Sequence, residues 1–173
     1  ARHGFSGTPF SLSVDDLELE SVTGPPLSKV TMTQLIKEGW VSIPTIYMIR
    51  YVAPRIKWAS NYASLYSQKI VNEPTRNRII SEVVLKEYNE GNIPILVIIR
   101  VIKHGHILKD LFIDAGVDPG DIQYVHGSTH PNKRMEVKED FRDRKIPIVI
   151  ASSIWVEGID IPSVSVLVQA DGG

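Results

Sequence analysis

Ser152 and Ser153 stand side by side at the end of the apolar run Ile148-Val149-Ile150-Ala151, and shortly after them comes the loop Glu157-Gly158-Ile159-Asp160-Ile161-Pro162. Hydroxyls and carboxylates so grouped are hydrogen-bonding chemistry, and their position gives them a possible target. A β-branched run bounded by small polar residues reads as a strand buried on both faces of a parallel sheet. Ligands of such sheets sit beyond the carboxyl ends of the strands, which is where this loop must lie. The bland reading of Glu157 and Asp160 is an acidic surface turn. Other chemistry is excluded by composition. The chain has no cysteine, hence no thiolate metal site or disulfide, and a net charge of −1, so any nucleic-acid contact must come from a local patch or from backbone amides.

The elements that would position this loop follow from periodicity. Ile79, Ile80, Val83, Val84 and Tyr88 have helical spacing, closed at Gly91. Ile95 to Val101 reads as a strand, and Ile107, Leu108, Leu111 and Phe112 as a helix closed at Gly116. Asp118-Pro119-Gly120-Asp121 has turn chemistry, Ile122 to Val125 reads as a strand, and Pro131 opens a helix carrying Met135 and Phe141. Ile148 to Ala151 and Val164 to Val168 complete the strands. This alternation predicts right-handed crossovers and a doubly wound α/β domain with a parallel sheet.

The first half is less regular. Residues 10–30 read as a connector, with Asp15, Asp16, Glu18 and Glu20 as a solvated acidic face. Thr31 and Gln34 have capping-box spacing, and Gly39 is a C-terminal cap, which predicts a short helix from about Met32 to Glu38. Ile46 through Val52 reads as a strand. Trp58 to Ile70 reads as a helix whose stripe of Trp58, Tyr62, Leu65 and Tyr66 is expected to pack in a core rather than to stack bases. No apolar stretch approaches the roughly 20 residues that span a bilayer, so a soluble, intracellular protein is expected.

Four segments resemble the superfamily-2 helicases and translocases, in the branch of the restriction-enzyme motors, XPB and the phage UvsW-type helicases. Gly4-Phe5-Ser6-Gly7-Thr8-Pro9 resembles motif III, which ends the first RecA-like domain of these motors. Ile95-Leu96-Val97-Ile98-Ile99-Arg100 resembles motif IV, and Val125-His126-Gly127-Ser128-Thr129 with Arg134 and Phe141-Arg142 resembles the block that follows it. The Ser152 to Pro162 segment is similar to motif V, although that motif often has threonine where Ser153 stands, and Trp155 departs from it. Trp155 fits a core, an interdomain contact or a base stack.

The resemblance implies a RecA-like helicase C-terminal domain, truncated before motif VI. It divides the chain into 1–30, the tail of the first RecA-like domain and a linker; 31–75, a connecting segment; and 76–173, the second RecA-like domain. It implies that Ser6, Gly7 and Thr8 couple nucleotide state to the second domain. Ser152, Ser153, His126 and Gly127 would touch the nucleic-acid backbone, with an ordinary loop histidine as the alternative for His126. Gly158 and Asp160 would face the nucleotide. ATP and Mg2+ are the implied cofactors of the parent, single-stranded or branched DNA its implied partner, and the first RecA-like domain its missing half in cis. No Gly-x-Gly-Lys-Thr/Ser phosphate loop or Asp-Glu-x-His/Asp box occurs in the chain, so the segment by itself is expected to be inactive. The competing readings are a non-catalytic RecA-like module that binds nucleic acid or protein, and an unrelated doubly wound enzyme such as a sugar-nucleotide transferase.

Overall fold

The structure, a computed structural model, describes residues 15–25, 27–52, 54–55, 59, 61–152, 155 and 161–172. Its contacts divide the chain into two compact units, Ala1–Ile49 and Arg50–Gly173.

In the first unit the acidic stretch is helical rather than a plain connector: α1 spans Asp15–Thr23, and Glu18 and Glu20 are exposed. The capping-box helix forms as expected. In α2 (Met32–Lys37) the extended N-cap Thr31 accepts a hydrogen bond from the Gln34 amide at 3.2 Å. Gly39 closes the helix at φ +78°, a conformation that glycine adopts without a Cβ clash. The strand expected over Ile46 to Val52 is not observed. Those residues pair with no ladder, and Tyr47, Met48 and Val52 are 83%, 94% and 94% exposed. Their β-branched and aromatic composition favours extension, but a strand exists only where a neighbour accepts its hydrogen bonds.

The second unit is built around a sheet that, among the described residues, has four strands in the order β2-β3-β1-β4: β1 (Ile95–Ile98), β2 (Ile122–Val125), β3 (Ile148–Ala151) and β4 (Val166–Gln169). All neighbours are parallel, with Ile95 beside both Ile148 and Val166, and Ile122 beside Ile148. The central strands β1 and β3 are buried at every residue, as near-continuous apolar runs require. Side chains leave a strand alternately, so each strand feeds two cores. On one face Val97, Ile99, Ile148 and Ile150 meet Ile80 and Val84 of α4 (Pro74–Asn89) and Leu108 and Phe112 of α5 (Ile102–Asp114). On the other, Leu96, Val149 and Ala151 meet Val137 and Phe141 of α6 (Pro131–Arg142), together with Trp155 and Ile161. This is the doubly wound, three-layer parallel-sheet arrangement that the alternation predicts.

Two details concern residues left open or misjudged by periodicity. Trp155 is a core residue, 6% exposed, with its ring 6.2 Å from that of Phe141. The aromatic stripe does not form a core. The helix is broken into α3 (Tyr62–Tyr66) and a π-turn (Ser67–Val71), and Tyr62 and Leu65 are 66% and 40% exposed. A helix this short cannot repeat an apolar stripe, and among the described stripe residues Tyr66 alone is drawn inward. Trp58 lies outside the described residues.

Candidate functional site

The strand order places the crevice. β1 runs into α5 on the face that also carries α4, whereas the chain after β3 brings Trp155 and Ile161 to the α6 face. The connections therefore diverge between the adjacent strands β1 and β3, and that switch point is where open α/β sheets bind ligands. The strand ends there are held in register past the strands themselves. The Ile99 amide donates to the Ala151 carbonyl at 2.9 Å, Ser152 to Val125 at 3.1 Å and Ala170 to Ile98 at 2.9 Å.

Arg100 follows β1 at this edge, His126 and Gly127 follow β2, Ser152 follows β3, and Ala170 to Gly172 follow β4. The structure thus brings His126, Gly127 and Ser152 to one edge of the sheet. Ser152 is 6% exposed. Gly127 is open to solvent, with no atom within 4 Å of a Cβ added there and no positive φ. The remaining expected site residues, Ser6, Gly7, Thr8, Ser153, Gly158 and Asp160, lie outside the described residues.

His126 begins a tied turn. Its amide donates to Thr129 Oγ1 at 3.0 Å, and its carbonyl accepts from the Thr129 amide at 2.9 Å. The ring belongs to a cluster: Tyr124 lies 5.0 Å from it, and the exposed His106 meets Tyr124 edge-on at 5.1 Å. His126 Nδ1 is buried without a hydrogen-bond partner. Tyr124 anchors the cluster by donating to the Ile102 carbonyl at 2.9 Å, and burial pushes its pKa up to about 12, so the phenol stays protonated. Gly105 of α5 passes directly beneath this ring, where a Cβ would lie 2.4 Å from Tyr124 Cζ.

Behind the edge runs a polar network that periodicity did not disclose. His104, fully buried, meets Asn77 Oδ1 through Nε2 at 2.9 Å, while Asn77 Nδ2 donates to the Val71 carbonyl at 2.8 Å. Asn77 therefore presents its oxygen to His104, which fixes the proton on Nε2. Burial, and secondarily the charge of Arg76, push the His104 pKa down to about 4, so the imidazole is neutral near neutral pH. Arg76 itself is held below its usual pKa by burial, and its Nη2 donates to the Ala170 carbonyl at 3.0 Å.

Three basic residues of α6 and the turn after it pair with nearby acids. Lys133 is 2.8 Å from Glu136, Arg142 pairs with Glu139, and Lys145 is 3.0 Å from Asp140. They are thereby partly neutralised as a strand-binding patch. Among the described residues no group of three or more His, Asp or Glu could hold a metal ion, and no helix is long and apolar enough to cross a membrane. Arg100, His106, Tyr124, Arg76 and Tyr66 had no site role assigned from sequence. The usable signal was position for Arg100, the charged residue that interrupts the apolar run begun at Ile95, and there was none for the others, whose partners are distant in the chain.

The chain is similar to known helicases over part of their length. Residues 118–172 match the helicase conserved C-terminal domain. The chain is 28% identical over 190 residues to putative helicase 22 of Sulfolobus islandicus filamentous virus (isolate Iceland/Hveragerdi), covering 99% of this chain and 32% of that protein. It is 24% identical over 154 residues to the pre-mRNA-splicing ATP-dependent RNA helicase PRP28 of Meyerozyma guilliermondii, covering 88% of this chain and 26% of that one. It is also similar to the crystal structure of T4 UvsW, at 24% identity and a TM-score of 0.46 over 57% of this chain and 19% of the other. The chain thus spans a third or less of the length of these relatives.

Proposed function

We propose that this chain, which matches the helicase conserved C-terminal domain over residues 118–172, supplies the second wall of the ATP cleft and part of the strand track of an ATP-dependent DNA helicase or translocase of superfamily 2. The observation that carries the reading is the coincidence of the helicase match over residues 118–172 with a parallel sheet whose carboxyl edge gathers His126, Gly127 and Ser152. In this reading His126, Gly127, Ser152 and Ser153 meet the phosphodiester backbone without reading bases, and phosphate contacts of that kind set register rather than sequence. Gly158 lets the chain approach the nucleotide, and the Asp160 carboxylate accepts hydrogen bonds from a ribose hydroxyl or orients a guanidinium of the parent. Ser6, Gly7 and Thr8 relay nucleotide state from the first RecA-like domain, which also holds the triphosphate and Mg2+.

Catalysis in such a motor is mainly positioning and charge stabilisation across a cleft, so a wall without a phosphate loop contributes geometry. DNA is the proposed strand because the motif pattern resembles that of DNA-acting motors, whereas several relatives are RNA helicases by name. The test is ATP turnover by the full-length parent with single-stranded DNA or RNA of matched length. Stronger stimulation by DNA is expected. Stimulation by RNA alone would replace DNA with RNA, and no stimulation by either would favour the non-catalytic module.

A further inference from the structure

The backbone leaving β4 is held by side chains from the first turn of α4 and from the segment that leads into it. Tyr66 Oη donates to the Asp171 carbonyl at 2.5 Å, and Arg76 Nη2 donates to the Ala170 carbonyl at 3.0 Å. Ile70 sits so near Gly172, at φ +92°, that a Cβ there would come within 2.9 Å of Ile70 Cδ1. Tyr66 also has a second contact. The guanidinium of the exposed Arg100, which follows β1 at the switch point, lies 5.9 Å from the centroid of its ring. One side chain thus touches both strand exits on this side of the crevice, with its hydroxyl on β4 and its ring face on Arg100.

The two contacts have different chemistry. The hydroxyl bond fixes backbone that comes from the far end of the chain. The ring steadies a long, flexible cation that would otherwise sample many rotamers, and a guanidinium so held is suited to a phosphate oxygen. The π-turn directly after Tyr66 is a local irregularity of the kind that often accompanies functional sites. Arg76, desolvated and with Nη1 buried without a partner, is the second strut.

We propose that Tyr66 is a positioning residue of the crevice: its hydroxyl fixes the backbone leaving β4, and its ring presents Arg100 to a phosphate group bound at the switch point. The phosphate belongs either to the nucleic-acid strand or to the nucleotide, and the role rests on the reading of this chain as a helicase cleft wall.

The test uses the full-length parent with Tyr66→Phe, which keeps the ring, and Tyr66→Leu, which removes it. Measured together are kcat and KM for ATP, strand Kd by fluorescence anisotropy, and thermal unfolding. Tyr66→Phe is expected to lower kcat about three- to tenfold, the loss of one hydrogen bond, with strand Kd and KM unchanged within about twofold. Tyr66→Leu is expected to show the same loss and, in addition, a rise of about two- to fivefold in one binding constant. A rise in strand Kd assigns the phosphate to nucleic acid, and a rise in KM assigns it to the nucleotide. Phe retaining the affinity that Leu loses is the signature of the ring. The proposal is overturned if Leu moves neither binding constant, or if both variants lower only the unfolding temperature. A wild-type parent with no nucleic-acid-dependent turnover would instead overturn the helicase reading itself.

Discussion

Gly105→Ala sets two physical effects against each other, and the structure decides which wins. In an ordinary helix interior alanine is favoured over glycine by about 1 kcal/mol. Here the added methyl would sit 2.4 Å from Tyr124 Cζ and 2.7 Å from both Cε2 and Oη. Relief requires the ring to swing away, which breaks the Oη bond to the Ile102 carbonyl and disturbs the packing against His106 and His126. Overpacking costs about 1–3 kcal/mol, and the lost hydrogen bond about 0.5–1.5 kcal/mol more. Set against the helix gain, the net destabilisation is expected to be about 0.5–3.5 kcal/mol. Urea denaturation of the chain measures it, and the Tyr124→Ala background supplies the control, because with the ring gone Gly105→Ala should become neutral or stabilising. A stabilisation of about 1 kcal/mol in the wild-type background, the value for an unobstructed helical glycine, would refute the reasoning.

Gly127→Ala is the opposite case: with open space and no positive φ, unfolding free energy should stay within about 0.5 kcal/mol of wild type. Strand affinity of the parent should nevertheless fall, because the methyl stands where the phosphodiester backbone is expected to pass. His104 gives a pH dependence. Its folded pKa of about 4 lies below the unfolded value of 6.5, so the unfolded state binds the extra proton between them. Its stabilising contribution is complete above pH 6.5 and is lost as pH falls towards 4, with a slope of up to about 1.4 kcal/mol per pH unit. Denaturation at several pH values checks this, and His104→Gln should flatten that window. Binding of single-stranded DNA to the isolated chain should show a shallow salt slope, since each neutralised phosphate adds about 0.7 to its magnitude and Lys133, Arg142 and Lys145 are already paired with acids. A steep slope in fluorescence anisotropy would mean that these ion pairs open to form a basic patch.

The sheet was legible because its strands are self-announcing. Ile95 to Ile98 and Ile148 to Ala151 are apolar at every position, and such runs can be satisfied only between two layers of helix. The α2 caps were legible because Thr31, Gln34 and Gly39 act within one short helix and its flanks. What failed was whatever depends on a partner elsewhere in the chain. Ile46 to Val52 has strand composition but no paired neighbour among the described residues, and Trp155, left open between three roles, is settled as core by a cluster that includes Phe141 and Val137 of α6. The edge follows the same division. His126, Gly127 and Ser152 could be placed at the strand ends from sequence because motif and strand end coincide. Tyr66 contacts Asp171 across 105 residues, and His104 contacts Asn77 across 27. No periodicity reports such pairs, because hydrogen-bond partnership across a fold leaves no local pattern.

The proposed place of this chain in an ATP cleft is tested most directly by Asp160→Ala in the full-length parent, with ATP turnover and nucleotide-free DNA affinity measured on the same preparation. A carboxylate that holds a ribose hydroxyl or a guanidinium makes a charge-assisted bond, and removing it costs about 1.5–3 kcal/mol in the nucleotide-bound state. The account predicts a loss of roughly ten- to hundredfold in DNA-stimulated turnover, with DNA affinity within about twofold of wild type, a change of less than about 0.5 kcal/mol. An acidic surface turn would leave turnover within that same margin of about 0.5 kcal/mol, and wild-type turnover in the variant would contradict the placement of Asp160 in the cleft.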